Sequence, residues 1–272
     1  MEIKGMNMKK LLSIAAVSLL VSATAQANAG NVQKEWFNAA SYTDYDSSDN
    51  SLLMLSSDYF FAPQESVGVW DDFGYLDTDS NVGLSYANDD FSNAFSAHGE
   101  GFITKEWFVT GSISDLGEAD DHYSFGFGYL YNENLKLSIR QEEFEHGDTT
   151  WFKAEYNHEL NSTDYIGFTI ETEDEFDYLN LSARYLMHVG GESYFTIDVE
   201  HNRIDIEGFD DNVTNVLANY YFTRNFALGL GSYDSDLAVE AKYFFNDTYY
   251  LTGSVVDTDG GETSNLTFVA QF

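Results

Sequence analysis

Apolar residues recur at every second position through most of this chain. Tyr123, Phe125, Phe127 and Tyr129 alternate with Ser124, Gly126 and Gly128. Leu135, Leu137 and Ile139 alternate with Lys136, Ser138 and Arg140. The same period appears in Leu179–Tyr185, Phe195–Val199, Phe226–Leu230, Leu237–Tyr243 and, at the end, Leu266, Phe268, Ala270 and Phe272. Period two predicts strands with one apolar and one polar face. Between strands, two kinds of turn take turns. One kind is short and follows aromatics, as in Tyr129-Leu130-Tyr131-Asn132, Tyr156-Asn157-His158 and Tyr243-Phe244-Phe245-Asn246. The other is longer and acidic, as at Glu118 to Asp121, Glu142 to Asp148, Glu171 to Asp177, Asp205 to Asp211 and Asp257 to Glu262.

The turn tyrosines Tyr129, Tyr156, Tyr185, Tyr220 and Tyr243 are unevenly spaced, which suits hairpins with variable loops rather than a solenoid. Aromatics recurring at one end of every hairpin mark an interfacial girdle, and a C-terminal strand closing on Phe272 suits the seam of a barrel. The pattern therefore predicts an all-β fold: a transmembrane, antiparallel, up-and-down β-barrel of about 16 strands, with 14 as the alternative. The first segments are Trp36 to Tyr45 and Ser51 to Phe61; the last are Thr248 to Asp257 and Glu262 to Phe272. A soluble sandwich shows the same period, but would bury the aromatic rows between two sheets. Short aromatic turns and both termini are expected on the periplasmic side, and acidic loops outside the cell. One stretch breaks the alternation: Gln64 to Thr78 (QESVGVWDDFGYLDT). A full strand there would invert the parity of all later turns. It reads as a strand extension with a bulge, or as a segment folded into the lumen or the periplasmic mouth.

The N-terminal residues add an address. Lys9 and Lys10 precede an apolar run from Leu11 to Val21, followed by Ala23, Ala25, Ala27 and Ala29. This is the form of a cleaved secretory signal, and divides the chain into 1–29 (signal peptide) and 30–272 (outer-membrane barrel). The apolar run is far shorter than the ~20 residues of a spanning helix. Cysteine is absent and Pro63 is the only proline, so an exported chain of this kind holds itself together without disulfides.

Charge narrows the function. Forty-six acids face twelve bases, which excludes a basic nucleic-acid surface. Aromatics at 17% exclude a solvated coil. The polar faces of the strands carry Lys136, Arg140, Lys153, Glu155, Arg184, Asp198, Glu200, Glu240 and Lys242, the candidate pore-lining set. Basic walls opposed by acidic loops would impose a transverse field that sorts solutes by size and charge; alternatively, the charges pair across strands in a filled barrel. Inward Gly83, Gly126, Gly128, Gly229 and Gly231, with Ser85, Ser112 and Ser124, either leave room or admit close packing by another segment.

The runs Asp257-Thr258-Asp259-Gly260-Gly261-Glu262 and Asp44 to Asp49 bring carboxylates together without the full calcium-loop pattern, so a metal site is left open and diffuse counterion binding is the simpler expectation. No cofactor is expected. The six histidines, His98, His122, His146, His158, His188 and His201, follow no catalytic or metal spacing, so enzyme chemistry is not expected.

These residues resemble the general porins of Gram-negative bacteria. The resemblance lies in the signal-like N-terminus, the hairpins Gly128 to Leu135 and Ala218 to Phe226, the stretch Phe73 to Tyr86, and Phe272. It implies passive diffusion of small hydrophilic solutes and ions through a water-filled channel in the cell outer membrane, with assembly as a homo-oligomer. It also implies outer-membrane lipid and lipopolysaccharide as neighbours. The C-terminal residues Phe268, Ala270 and Phe272 resemble the signal read by the barrel-assembly machinery. The runner-up is a structural or surface-interaction barrel without an open pore.

Overall fold

The computed structural model describes residues 32–48, 50–115, 122–144, 147–206, 208–258 and 261–272. Residues 1–29, expected to form a signal peptide, and the acidic run Glu118 to Asp121 lie outside the described residues. Sixteen strands form, in chain order β1 (Gln33–Tyr45), β2 (Asn50–Glu65), β3 (Asn81–Asp89), β4 (Asn93–Phe102), β5 (Trp107–Asp115), β6 (His122–Asn132), β7 (Leu135–Phe144) and β8 (Gly147–Glu159). The second half comprises β9 (Tyr165–Glu173), β10 (Tyr178–Gly190), β11 (Ser193–Ile206), β12 (Phe209–Thr223), β13 (Phe226–Tyr233), β14 (Asp236–Phe244), β15 (Tyr249–Thr258) and β16 (Gly261–Gln271). Every strand pairs antiparallel with its sequence neighbour, and β1 closes on β16 from Phe37↔Gln271 to Tyr45↔Thr263. Among the described residues the strand count is sixteen, not fourteen.

Closure removes both sheet edges, so every strand backbone finds a partner without water, as a bilayer demands. The seam runs to the last residue: Glu35 and Trp36 donate their amides to the Phe272 carbonyl at 2.6 and 3.0 Å, and the Phe272 amide donates to the Trp36 carbonyl at 2.8 Å. The apolar rows face outward. Phe125 and Leu230 are more than 60% exposed, although large apolar side chains normally hide from water. A contiguous apolar exterior of this size fits hydrocarbon, not solvent. Tyr59, Trp107, Tyr156 and Tyr243 ring the end of the barrel where β1 begins and β16 ends, the terminal end. The acidic turns lie at the opposite end. There the β13–β14 hairpin turns on Asp234 and Ser235, both at positive φ (47° and 75°), the two-residue geometry that matches strand twist.

The stretch out of alternation does two things. β2 continues to Glu65, and its register against β1 slips between Lys34 and Trp36. Pro63, which has no amide to give the ladder, sits in that bulge. Residues 66–80 then form no strand and cross the lumen at the terminal end. Because the crossing adds no strand, turn parity is preserved.

Candidate functional site

The site is the lumen at the terminal end, where 66–80 meets the wall. Its centre is apolar. Val69 is fully buried and packs with Leu186, Tyr194, Phe244 and Val269, which β10, β11, β14 and β16 point inward. The Trp70 ring meets Phe244 edge-on at 5.9 Å, and the Gln271 amide nitrogen donates to the Trp70 carbonyl at 3.2 Å. Gly68 adopts φ +94°, and a Cβ there would lie 2.5 Å from the Tyr194 ring, so glycine is required both by backbone and by space.

Two aspartates fasten this core. Asp71 accepts hydrogen bonds from the Tyr221 hydroxyl at 2.8 and 2.9 Å and from Lys242 Nζ at 2.8 Å. Asp72 accepts from the Tyr165 hydroxyl at 2.8 and 2.7 Å and from the Gly74 amide at 3.0 Å, and faces Arg184 Nη1 at 3.5 Å. Both carboxylates are at least 96% buried, and buried charges persist only when paired and hydrogen-bonded. Burial pushes the Asp72 carboxyl up to about 6, although Arg184 and the Tyr165 hydroxyl pull it down. Tyr75 continues the contact: its ring lies over Gly167, where a Cβ would be 2.0 Å away, and its hydroxyl reaches Thr169 at 2.8 Å and Ser182 at 3.3 Å.

The facing wall is looser. Between 66–80 and the β4–β8 wall lies a cavity of about 620 Å³, lined by Phe73, Tyr75, Phe102, Lys105, Leu130, Glu133, Asn157 and Glu159 among others. At its edge Lys136 Nζ donates to the Asp77 carbonyl at 2.8 Å and to Glu100 Oε1 at 2.7 Å, and sits 4.8 Å over the Phe108 ring. Burial raises the Asp77 carboxyl above the usual carboxylate range, with Lys136 pulling the other way.

The other candidates lie on the inner wall. Arg184 Nε donates to Asp198 Oδ1 at 2.5 Å. Arg140 faces Glu171 at 3.4 Å and Glu142 at 3.7 Å and lies 5.5 Å over Trp151. Lys153 pairs with Glu155 at 2.8 Å, Glu240 lies 3.6 Å from Lys242, and Glu200 accepts from Asn180 and Asn202. Each of these bases thus meets acids of the wall or of 66–80. The inward glycines carry close packing: a Cβ at Gly83 would strike the Asp58–His98 pair, one at Gly128 the Phe108 ring, and one at Gly229 the Asn219 amide. Phe268, Ala270 and Phe272 form one outward row beside the seam, with Phe268 stacked on Tyr249 and Phe272 near Trp36. Among the described residues no cluster of His, Asp or Glu has metal-binding geometry; Asp49, Asp259 and Gly260 of the two acidic runs, and His146, lie outside them.

Sequence reasoning missed Asp71, Asp72, Asp77 and Glu100. The available signal was Trp70-Asp71-Asp72-Phe73, two acids between aromatics in the one stretch that abandons alternation.

An antiparallel ring of strands with an oily exterior and an ionised interior defines an outer-membrane β-barrel. Comparison makes this specific: the chain matches the family described as "Putative general bacterial porin" over residues 8–272, and it belongs to that family. Its place is the outer membrane. Among solved structures it resembles outer membrane protein Omp33 of Acinetobacter baumannii, with TM-score 0.56 and 14% identity, covering 88% of this chain and 99% of that one. It also resembles a mutant porin of Rh. blastica, with TM-score 0.50 and 11% identity over 88% of this chain and 99% of that one. At such identities the likeness concerns the fold. No curated protein matches the chain.

Proposed function

We propose that this protein is a narrow, non-energised channel for small hydrophilic solutes and ions, with cations favoured. The observation that carries this is the ionised inner wall from β7 to β14, set directly behind an apolar exterior. Charged side chains of this density are tolerated inside a membrane protein where water reaches them. Acids outnumber bases there, and the abundant carboxylates of the opposite end add to the attraction for cations. On this reading residues 1–29 are removed on export, the acidic turns face the cell exterior near lipopolysaccharide, and the outward row ending at Phe272 is presented to the assembly machinery.

A second reading has its own support: 66–80 crosses the lumen and is latched from several sides, as in a barrel whose work is done by its surface. Planar-bilayer recording of purified, folded protein separates the two. Stepwise currents with a cation-directed reversal potential are expected. Folded protein without currents would remove the channel.

A further inference from the structure

We infer that solutes pass the terminal end on the β4–β8 side alone, and that Lys136, held by Glu100 and the Asp77 carbonyl, sets charge selectivity there; this deepens the channel reading and rests on it. The two sides of 66–80 differ in kind. Toward β9–β16, Val69 and Trp70 fill the space, and Asp71 and Asp72 are each bound by a tyrosine and faced by a base. An ion entering there would have to break several buried polar contacts at once, each costly to leave unmade. Toward β4–β8 lies the open volume of about 620 Å³, and it reaches the exposed Glu133 on the β6–β7 turn.

At the inner edge of that volume one long, flexible side chain bridges the segment to the wall, while the Phe102 amide holds only its last residue, donating to Ser80 Oγ at 2.9 Å. Lys136 reaches from β7 across Phe108 to Glu100 on β4 and to the main chain at Asp77. A lysine stem has several rotatable bonds, so its ammonium can swing aside, whereas the latch on the other side is rigid and multiply bonded. The ammonium also offsets the carboxylates around it. Its removal would leave Glu100, with Asp77 and Glu155 near, facing the passage, a ring that favours cations more strongly.

The chain has no cysteine, so a single introduced thiol reports position without background. Glu133 and Glu192 are exposed glutamates on turns at the same end, one beside the cavity and one on the β10–β11 turn away from it. In planar bilayers, Glu133→Cys treated with a bulky cationic thiosulfonate from the chamber facing the termini should lose about half its conductance, and Glu192→Cys almost none. Independently, Lys136→Ala should raise conductance about twofold and shift the reversal potential toward cations, while Lys136→Arg keeps both near wild type. Equal block at the two thiols, or block at Glu192→Cys alone, overturns the inference, as does Lys136→Ala without change in either measure. Wild-type protein that never conducts overturns the channel reading itself. Conducting wild type with the wrong pattern of block overturns only the route.

Discussion

The two sides of the luminal segment are built from the same materials and reach opposite ends. On the β9–β16 side, a base, a tyrosine and an aspartate make a buried unit twice, at Lys242–Tyr221–Asp71 and at Arg184–Tyr165–Asp72. On the β4–β8 side, Lys136 meets a glutamate and a main-chain carbonyl beside open space. The difference lies in what surrounds the charge. Around Asp71 and Asp72 the wall turns Leu186, Tyr194 and Phe244 inward, so water is displaced and the ion pairs are fixed. Around the cavity the wall offers the polar Asn157 and Glu159, and the space between them is left open.

The largest effect should come from cutting the rigid side. Lys242→Met leaves Asp71 buried with only Tyr221, a loss of about 3–5 kcal/mol for a broken buried pair. Single-channel recordings should show the greatest rise in mean conductance of any single substitution, well above that of Lys153→Met on the other wall. Equal rises would erase the asymmetry. Next comes Gly167→Ala, whose Cβ meets the Tyr75 ring at 2.0 Å. It should displace that ring and forfeit two hydrogen bonds worth about 1 kcal/mol each, lowering the thermal midpoint in detergent. Gly101→Ala, with Val109 at 3.8 Å, should leave it unchanged.

Acid sharpens the comparison more gently. The Asp72 carboxyl sits at about 6 when docked, against about 3.9 when the segment is released into water. The docked form therefore holds its proton more tightly. Docking gains as pH falls through 6 toward 4, and loses that gain as pH rises through 6. Lowering pH from about 7.5 to about 5 should reduce current fluctuations, and Asp72→Asn should abolish that dependence. Smallest of all, Arg203→Gln breaks an exposed pair with Asp205, far from either side. Chemical unfolding should register less than about 1 kcal/mol.

The ladder was legible because alternation is a local property: Phe226-Leu228-Leu230 declares its outward row without knowledge of its neighbours. The strand end at Tyr45 followed from the same rule, and the expected end at Phe272 lies one residue beyond the observed Gln271. The mid-strand bases were visible too, as polar positions among apolar ones. Their partners were not, because Asp71 meets Lys242 across 171 residues and lies in a stretch with no period. The inward glycines show the same limit. Gly167 and Gly128 look alike in sequence, yet one admits a ring from the luminal segment and the other a ring from the preceding strand. Which body fills the space above a glycine is decided by the closed barrel, not by the residues beside it.

The latch also imposes a chronology. Residues 66–80 are made early, whereas the groups that grip them, Tyr165, Arg184, Tyr221, Lys242 and Gln271, are made later. Until β16 reaches β1 the segment has no complete cradle. Its seating thus records that the cylinder has been finished, and a half-assembled intermediate would betray itself by two aspartates still in water.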